Sequence, residues 1–168
     1  MMKNEMREPD YKLLKISSKA FKENEFIPAK YTDDGLNISP PLDIEGIPEE
    51  AKCLAIILNN PDTVVSNWTH WLVWNIPVTH HIKENAVHGI IGKNDFNKNE
   101  YSGPCPRYDA HRYFFKVYAL DTLLDLPEGA DRLALEKEMS EHIIAFGVLV
   151  GFYKKINQPA FNKNVVTD

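Results

Sequence analysis

The chain has 168 residues, 43% of them hydrophobic and 26% charged, with a formal net charge of −5. Those values describe one globular domain of ordinary composition and exclude a disordered chain. They also give no global basic field that would draw the chain to nucleic acid or acidic membranes.

The longest uninterrupted apolar run, Ile143 to Tyr153, is about half of the roughly 20 residues a transmembrane helix needs, so no transmembrane segment is expected. The first fifteen residues carry Lys3, Glu5, Arg7, Glu8, Asp10, Lys12 and Lys15 and lack the apolar core of a secretory leader, which points to a cytoplasmic protein. The two cysteines, Cys53 and Cys105, are too few for a disulfide framework and form no zinc spacing; no cofactor is expected. The reading is a single domain over residues 1–168, its core spanning about 11–156, with polar stretches 1–9 and 157–168 as loose tails.

The predicted elements are mostly short strands, with eleven prolines spread through the chain and several at the joints between apolar runs. Cys53-Leu54-Ala55-Ile56-Ile57-Leu58 is wholly apolar between the Pro48-Glu49-Glu50 turn and Asn59-Asn60-Pro61-Asp62, the pattern of a strand buried on both faces. Trp68 to Ile76 is a second strand, aromatic and branched, ended by Pro77. His111 to Leu120 is a third. One helix is predicted over Asp131 to His142, capped by Asp131, with Leu135, Met139 and Ile143 on one face. Ile143 to Tyr153 is a fourth strand, whose glycines suggest a bulge or a close backbone approach.

Strict alternation places Trp68, His70, Leu72, Trp74 and Ile76 on one face of the second strand, and Thr69, Trp71, Val73 and Asn75 on the other. In the third strand His111, Tyr113, Phe115 and Val117 share a face. Each strand therefore begins with a histidine beside an aromatic ring. If the two beginnings lie at one end of the fold, two imidazoles and two rings line one concavity, the usual form of a ligand site. The loop Tyr101 to Arg107 feeds the third strand; its glycine permits close approach and its prolines fix its shape, so its backbone N–H groups could point at an anion. A rigid structural turn explains the same residues.

The segments ISPPL (38–42), NPD (60–62), WTHWLVWNIP (68–77), GKND (92–95), YSGPCP (101–106), HRYFFKVYALD (111–121) and LPEGA (126–130) occur in that order. Together they resemble the phosphatidylethanolamine-binding protein family, and most closely its bacterial Raf-kinase-inhibitor-like branch. The resemblance implies an all-β antiparallel sandwich with a few peripheral helices and a small pocket for phosphate-like anions or phospholipid head groups. It carries the pocket onto Asn60, Asp62, Trp68, His70, Pro104, His111 and Tyr113. It also implies links to kinase regulation and protease inhibition, and a possible homodimer.

Two positions depart from the family pattern. Asn60 stands where the family usually has aspartate; an amide can donate to an anion at any pH, so binding is expected to be less pH-dependent. Arg107 stands where bacterial relatives usually carry proline, adding a permanent cation at the pocket rim. Neutral His70 and His111 are each expected to donate one hydrogen bond, more strongly once charged below about pH 6.5.

The function read from these residues is binding of a small phosphate-like or phosphoethanolamine-like anion, without catalysis. Two alternatives remain: a kinase- or protease-inhibitory interaction module with a protein partner, and a metal-dependent hydrolase built on His70, His111 and Asp62 or Asp109. His80, His81 and Glu84 form another conceivable ligand cluster. Cys105 beside Arg107 is either a small buried residue or a thiol of lowered pKa.

Overall fold

The computed structural model describes residues 11–86 and 88–155, so the polar end segments 1–9 and 157–168 expected as tails lie outside the described residues. In chain order the strands are β1 (Lys12–Leu13), β2 (Lys15–Ser17), β3 (Leu42–Glu45), β4 (Cys53–Asn60), β5 (Trp68–Ile76), β6 (His81–Ile82), β7 (Ile90–Ile91), β8 (His111–Leu120) and β9 (Ile143–Tyr153). Among the described residues a single α-helix, α1 (Arg132–Met139), stands between β8 and β9. The fold is all-β.

Six strands form one sheet in the order β1-β9-β8-β4-β5-β7, and β2-β3-β6 form a second. All pairs are antiparallel except β1, which runs parallel to β9. The larger sheet buries both faces. On one side Leu54, Ile56, Leu58, Tyr113, Phe115 and Val117 pack with Ile16, Leu42 and Ile44 of the smaller sheet. On the other, Cys53, Ala55, Ile57, Leu72 and Trp74 pack with Leu135 and Met139 of α1. This is why β4 is apolar at every core position: its side chains alternate between two dry layers, and each large one buried contributes about 1.5–3 kcal/mol.

The helix is shorter than the apolar spacing predicts. Asp131 caps it, its carboxylate accepting from the Ala134 N–H at 2.9 Å, but it stops at Met139, and Ile143 already belongs to β9. The glycines of β9 mark a close approach. A Cβ on Gly147 would stand 2.3 Å from the Leu14 carbonyl oxygen, so only glycine lets the segment around β1 and β2 lie against β9.

Strict alternation fails in β5. Its register with β4 shifts twice: Leu54 pairs with Ile76 but Ile56 with Val73, and Leu58 pairs with Trp71 but Asn59 with Thr69. Each shift inserts an extra residue in β5, at His70 near one end and around Asn75, whose φ is 52°, near the other. Trp71, Val73 and Ile76 consequently join the inter-sheet core, whereas Leu72 and Trp74 face the helix. The expected common face of Trp68, His70, Leu72, Trp74 and Ile76 is therefore corrected: the bulge separates the first two from Leu72 and Trp74.

Candidate functional site

β5 and β8 both pair antiparallel with β4, so both begin beside its carboxyl end: Trp68 lies opposite Asn60, and Phe114 opposite Asn59. The bulge turns His70 toward Tyr113, and their rings meet edge-on at 5.4 Å. Phe96 packs edge-on against both His70 (5.3 Å) and Trp68 (5.5 Å). These groups wall a cavity of about 510 Å³, lined also by Asn60, the apolar side chains Val64, Val65 and Pro106, and by Cys105, Arg107, Tyr108 and His111.

Of the expected site residues, Asn60, Trp68, His70, Arg107, His111 and Tyr113 line this cavity. Asp62 and Pro104 do not. Asp62 turns to Arg112, accepting from its backbone N–H at 2.8 Å and from its guanidinium at 2.8 and 3.1 Å; that hydrogen bonding holds the carboxyl below its usual range. Pro104 is buried and its carbonyl accepts from the Asp33 N–H at 3.1 Å; Pro106 takes its place against the cavity. Phe96, Val64, Val65 and Tyr108 were not foreseen, because they come from loops that carry no periodic signal.

The loop before β8 is held by bonds the sequence does not announce. Asn94, buried, directs its amide at the His70 carbonyl (3.1 Å), the Glu100 carbonyl (2.9 Å) and Ser102 Oγ (3.0 Å). Its own oxygen accepts from the Phe96 and Lys98 N–H groups. The Ser102 N–H donates to the His70 carbonyl and the Gly103 N–H to Asn37 Oδ1, so these two N–H groups are spent within the protein and do not face an anion. A Cβ on Gly103 would meet the Tyr31 carbonyl oxygen at 2.3 Å, which fixes glycine there.

Hydrogen bonding assigns each imidazole a tautomer. His70 Nδ1 lies 2.7 Å from the Ser102 carbonyl oxygen, which can only accept, so Nδ1 carries the proton. Burial pushes the His70 pKa down to about 4, so near neutral pH its Nε2 is a bare acceptor. This corrects the expectation that His70 donates to a ligand.

At His111 the order is reversed. Asn60 Oδ1 accepts from the Asp62 N–H at 2.8 Å, which orients the amide and leaves Asn60 Nδ2 to donate to His111 Nδ1 at 2.9 Å. Neutral His111 then carries its proton on Nε2. Asn60 therefore acts through the histidine, instead of simply replacing a carboxylate in the pocket. The hydrogen bonds of both rings thus run through Nδ1, and the buried Tyr113 hydroxyl, near Asn60 and the Cys105 backbone, completes no well-formed bond among the described residues.

Burial raises the Cys105 thiol, and the Arg107 charge opposing that effect does not overcome it. Both cysteines are free thiols. Among the described residues no three histidine, cysteine or acidic side chains are grouped to hold a metal. His81 pairs with Asp43 at 2.6 Å, His80 bonds the Ile44 carbonyl at 3.1 Å, and Glu84 accepts from Lys30 and Tyr31, so the expected His80-His81-Glu84 cluster is dispersed. A second, smaller cavity of about 230 Å³ lies over Ile56, Trp71, Val73, Ile76 and Ile82, away from the paired histidines. No helix among the described residues is long and apolar enough to cross a membrane.

The family model for phosphatidylethanolamine-binding proteins matches residues 17–154. The chain belongs to that family. Within the phosphatidylethanolamine-binding protein family it is 49% identical over 154 residues to a UPF0098 protein of Pyrococcus abyssi, covering 85% of this chain and 86% of the relative. A UPF0098 protein of Chlamydia trachomatis is 39% identical over 149 residues, covering 84% and 99% respectively. The crystal structure of CT736 from Chlamydia trachomatis, described as a homologue of the family, superposes with a TM-score of 0.83 at 37% identity, covering 86% of this chain and 99% of that one. E. coli YbcL, described as a new member of the mammalian PEBP family, gives 0.78 at 26% identity, with 85% and 99% covered.

Proposed function

We propose that this protein binds a small phosphate-like anion in the cavity between His70 and His111. One observation carries the reading: His70 and His111 are each anchored through Nδ1, the Tyr113 hydroxyl completes no well-formed bond among the described residues, and all three side chains line one largely apolar cavity with Arg107 among its walls. Buried polar atoms are ordinarily satisfied, so a group of them left open around a cavity is a binding arrangement. The aromatic walls lower the local dielectric and strengthen each bond the ligand makes. Arg107 is exposed, and its planar fork suits phosphate oxygens arriving from solvent.

No catalytic step belongs to this reading. Two unpaired thiols suit a reducing compartment such as the cytoplasm. The test is calorimetric titration with inorganic phosphate: wild type binds, while His111→Ala and Arg107→Ala each weaken binding about tenfold, the worth of one charge-assisted hydrogen bond. Unchanged affinity in both variants would remove the proposal.

The second reading, an interaction module contacting a kinase or other protein partner, is favoured by the cavity rim. Val64, Val65 and Tyr108 are largely exposed apolar side chains beside the opening. Cross-linking in a native extract with wild type and Val64→Ser/Val65→Ser separates the two: a single protein partner lost on substitution, with phosphate affinity intact, supports this module.

A further inference from the structure

We infer that the cavity selects an oxyanion that still carries a proton, hydrogen phosphate or a singly protonated phosphomonoester, because Ser102 and Asn60 fix the two histidines in opposite tautomers. This deepens the anion-binding reading and rests on it. His70 is anchored through Nδ1–H to the Ser102 carbonyl and presents a lone pair at Nε2; His111 is anchored through a bare Nδ1 to the Asn60 amide and presents Nε2–H. One histidine can only accept and the other can only donate.

A ligand satisfying both must offer a hydroxyl to His70 and a bare oxygen to His111. Hydrogen phosphate does this with two of its oxygens. Sulfate has the same shape and charge as hydrogen phosphate near neutral pH but no hydroxyl, so one of its oxygens would face the His70 lone pair. Protonating His70 would relieve that contact, but burial opposes the charge. The same reasoning sets phosphomonoesters, which hold a second proton below about pH 6, apart from phosphodiesters, which hold none. The titratable and charged groups about the pair are Asp62, Asp95, Cys105, Arg107, Arg112 and Tyr113; Asp62 and Arg112 bond each other and Asp95 accepts from the Thr69 N–H, away from both rings.

Asn60 is thus a positioning residue for specificity. With aspartate at 60, the carboxylate would accept from His111 Nδ1–H, and the neutral imidazole would turn a lone pair to the cavity as His70 does.

Two measurements test this on the full chain. Calorimetry at about pH 7.5 compares inorganic phosphate with sulfate; phosphate is expected to bind at least tenfold more tightly, the cost of one opposed pair of acceptors. Equal affinities overturn the inference and leave anion binding standing, whereas binding of neither ion removes both. At about pH 5.5, phosphoethanolamine is expected to exceed its diester, glycerophosphoethanolamine, by a similar factor, and equality overturns the proposal. Phosphoethanolamine above inorganic phosphate identifies an organic ester as the better ligand, the reverse identifies the free ion, and either order supports the proposal. Independently, nitrogen-15 NMR of the imidazoles near neutral pH is expected to show His70 protonated at Nδ1 and His111 at Nε2, with His111 alone switching in Asn60→Asp. One shared tautomer in the wild type overturns it.

Discussion

The Asp62 carboxylate engages Arg112 with both oxygens and takes the Arg112 backbone N–H as well, pinning the loop after β4 to the start of β8. The one carboxylate expected in the pocket is thereby neutralised against a cation, and the cavity is left without an acidic side chain in its lining.

This pair fixes a pH dependence. The folded-state carboxyl of Asp62 is held below its unfolded value, so its contribution is complete above about pH 5 and fades as the solution is acidified through the unfolded value of about 3.9. The pair is partly exposed, so solvent screening keeps its worth small. Asp62→Asn is expected to lower Tm at neutral pH by no more than about 4 °C, and the two melting curves are expected to converge once the folded-state carboxyl is protonated in acid. A gap that persists in acid would mean that the carboxylate charge is not what matters.

His70 supplies a second window of the same sign. The unfolded chain takes up a proton there near pH 6.5 and the folded chain only near 4, so stability is lost as the pH falls between those values, by about 3 kcal/mol at full development. His70→Asn keeps a donor for the Ser102 carbonyl and removes the titration. Urea midpoints at about pH 7.5 and 4.5 are expected to differ less in the variant than in the wild type, since the other histidines are common to both. An unchanged difference would show that burial does not hold this imidazole neutral.

Asn94 is the support on which the loop before β8 hangs. Asn94→Asp keeps the shape but turns the donor toward the His70 and Glu100 carbonyls into an acceptor. The expected cost is about 3 kcal/mol in urea unfolding, with weaker phosphate binding because the loop positions His70 through Ser102. A cost under about 1 kcal/mol would mean that those bonds do not hold the loop.

The long strands were legible because their chemistry is one-dimensional. β5, β8 and β9 begin and end where their apolar runs do, and β4 merely extends two asparagines beyond its run. The short strands β1, β2, β3, β6 and β7 carry too few residues for any period to emerge. The bulges at His70 and Asn75 were invisible for a different reason: alternation counts residues, and an inserted one leaves composition untouched. The histidines could be nominated from their position at strand starts, but their tautomers depend on Ser102 and on the orientation of Asn60. Those partners are 32 and 51 residues away. Asp62 could be nominated as well, yet Arg112 was read only as part of a strand.

The extra residue at His70 has a practical consequence for anyone transplanting this binding centre onto another scaffold. Copying the side chains onto an ideal, evenly pleated ribbon would aim this imidazole at the opposite layer, where Leu72 and Trp74 meet the helix. The irregularity must travel with the graft, because here a break in regular geometry is what makes the two ring systems neighbours.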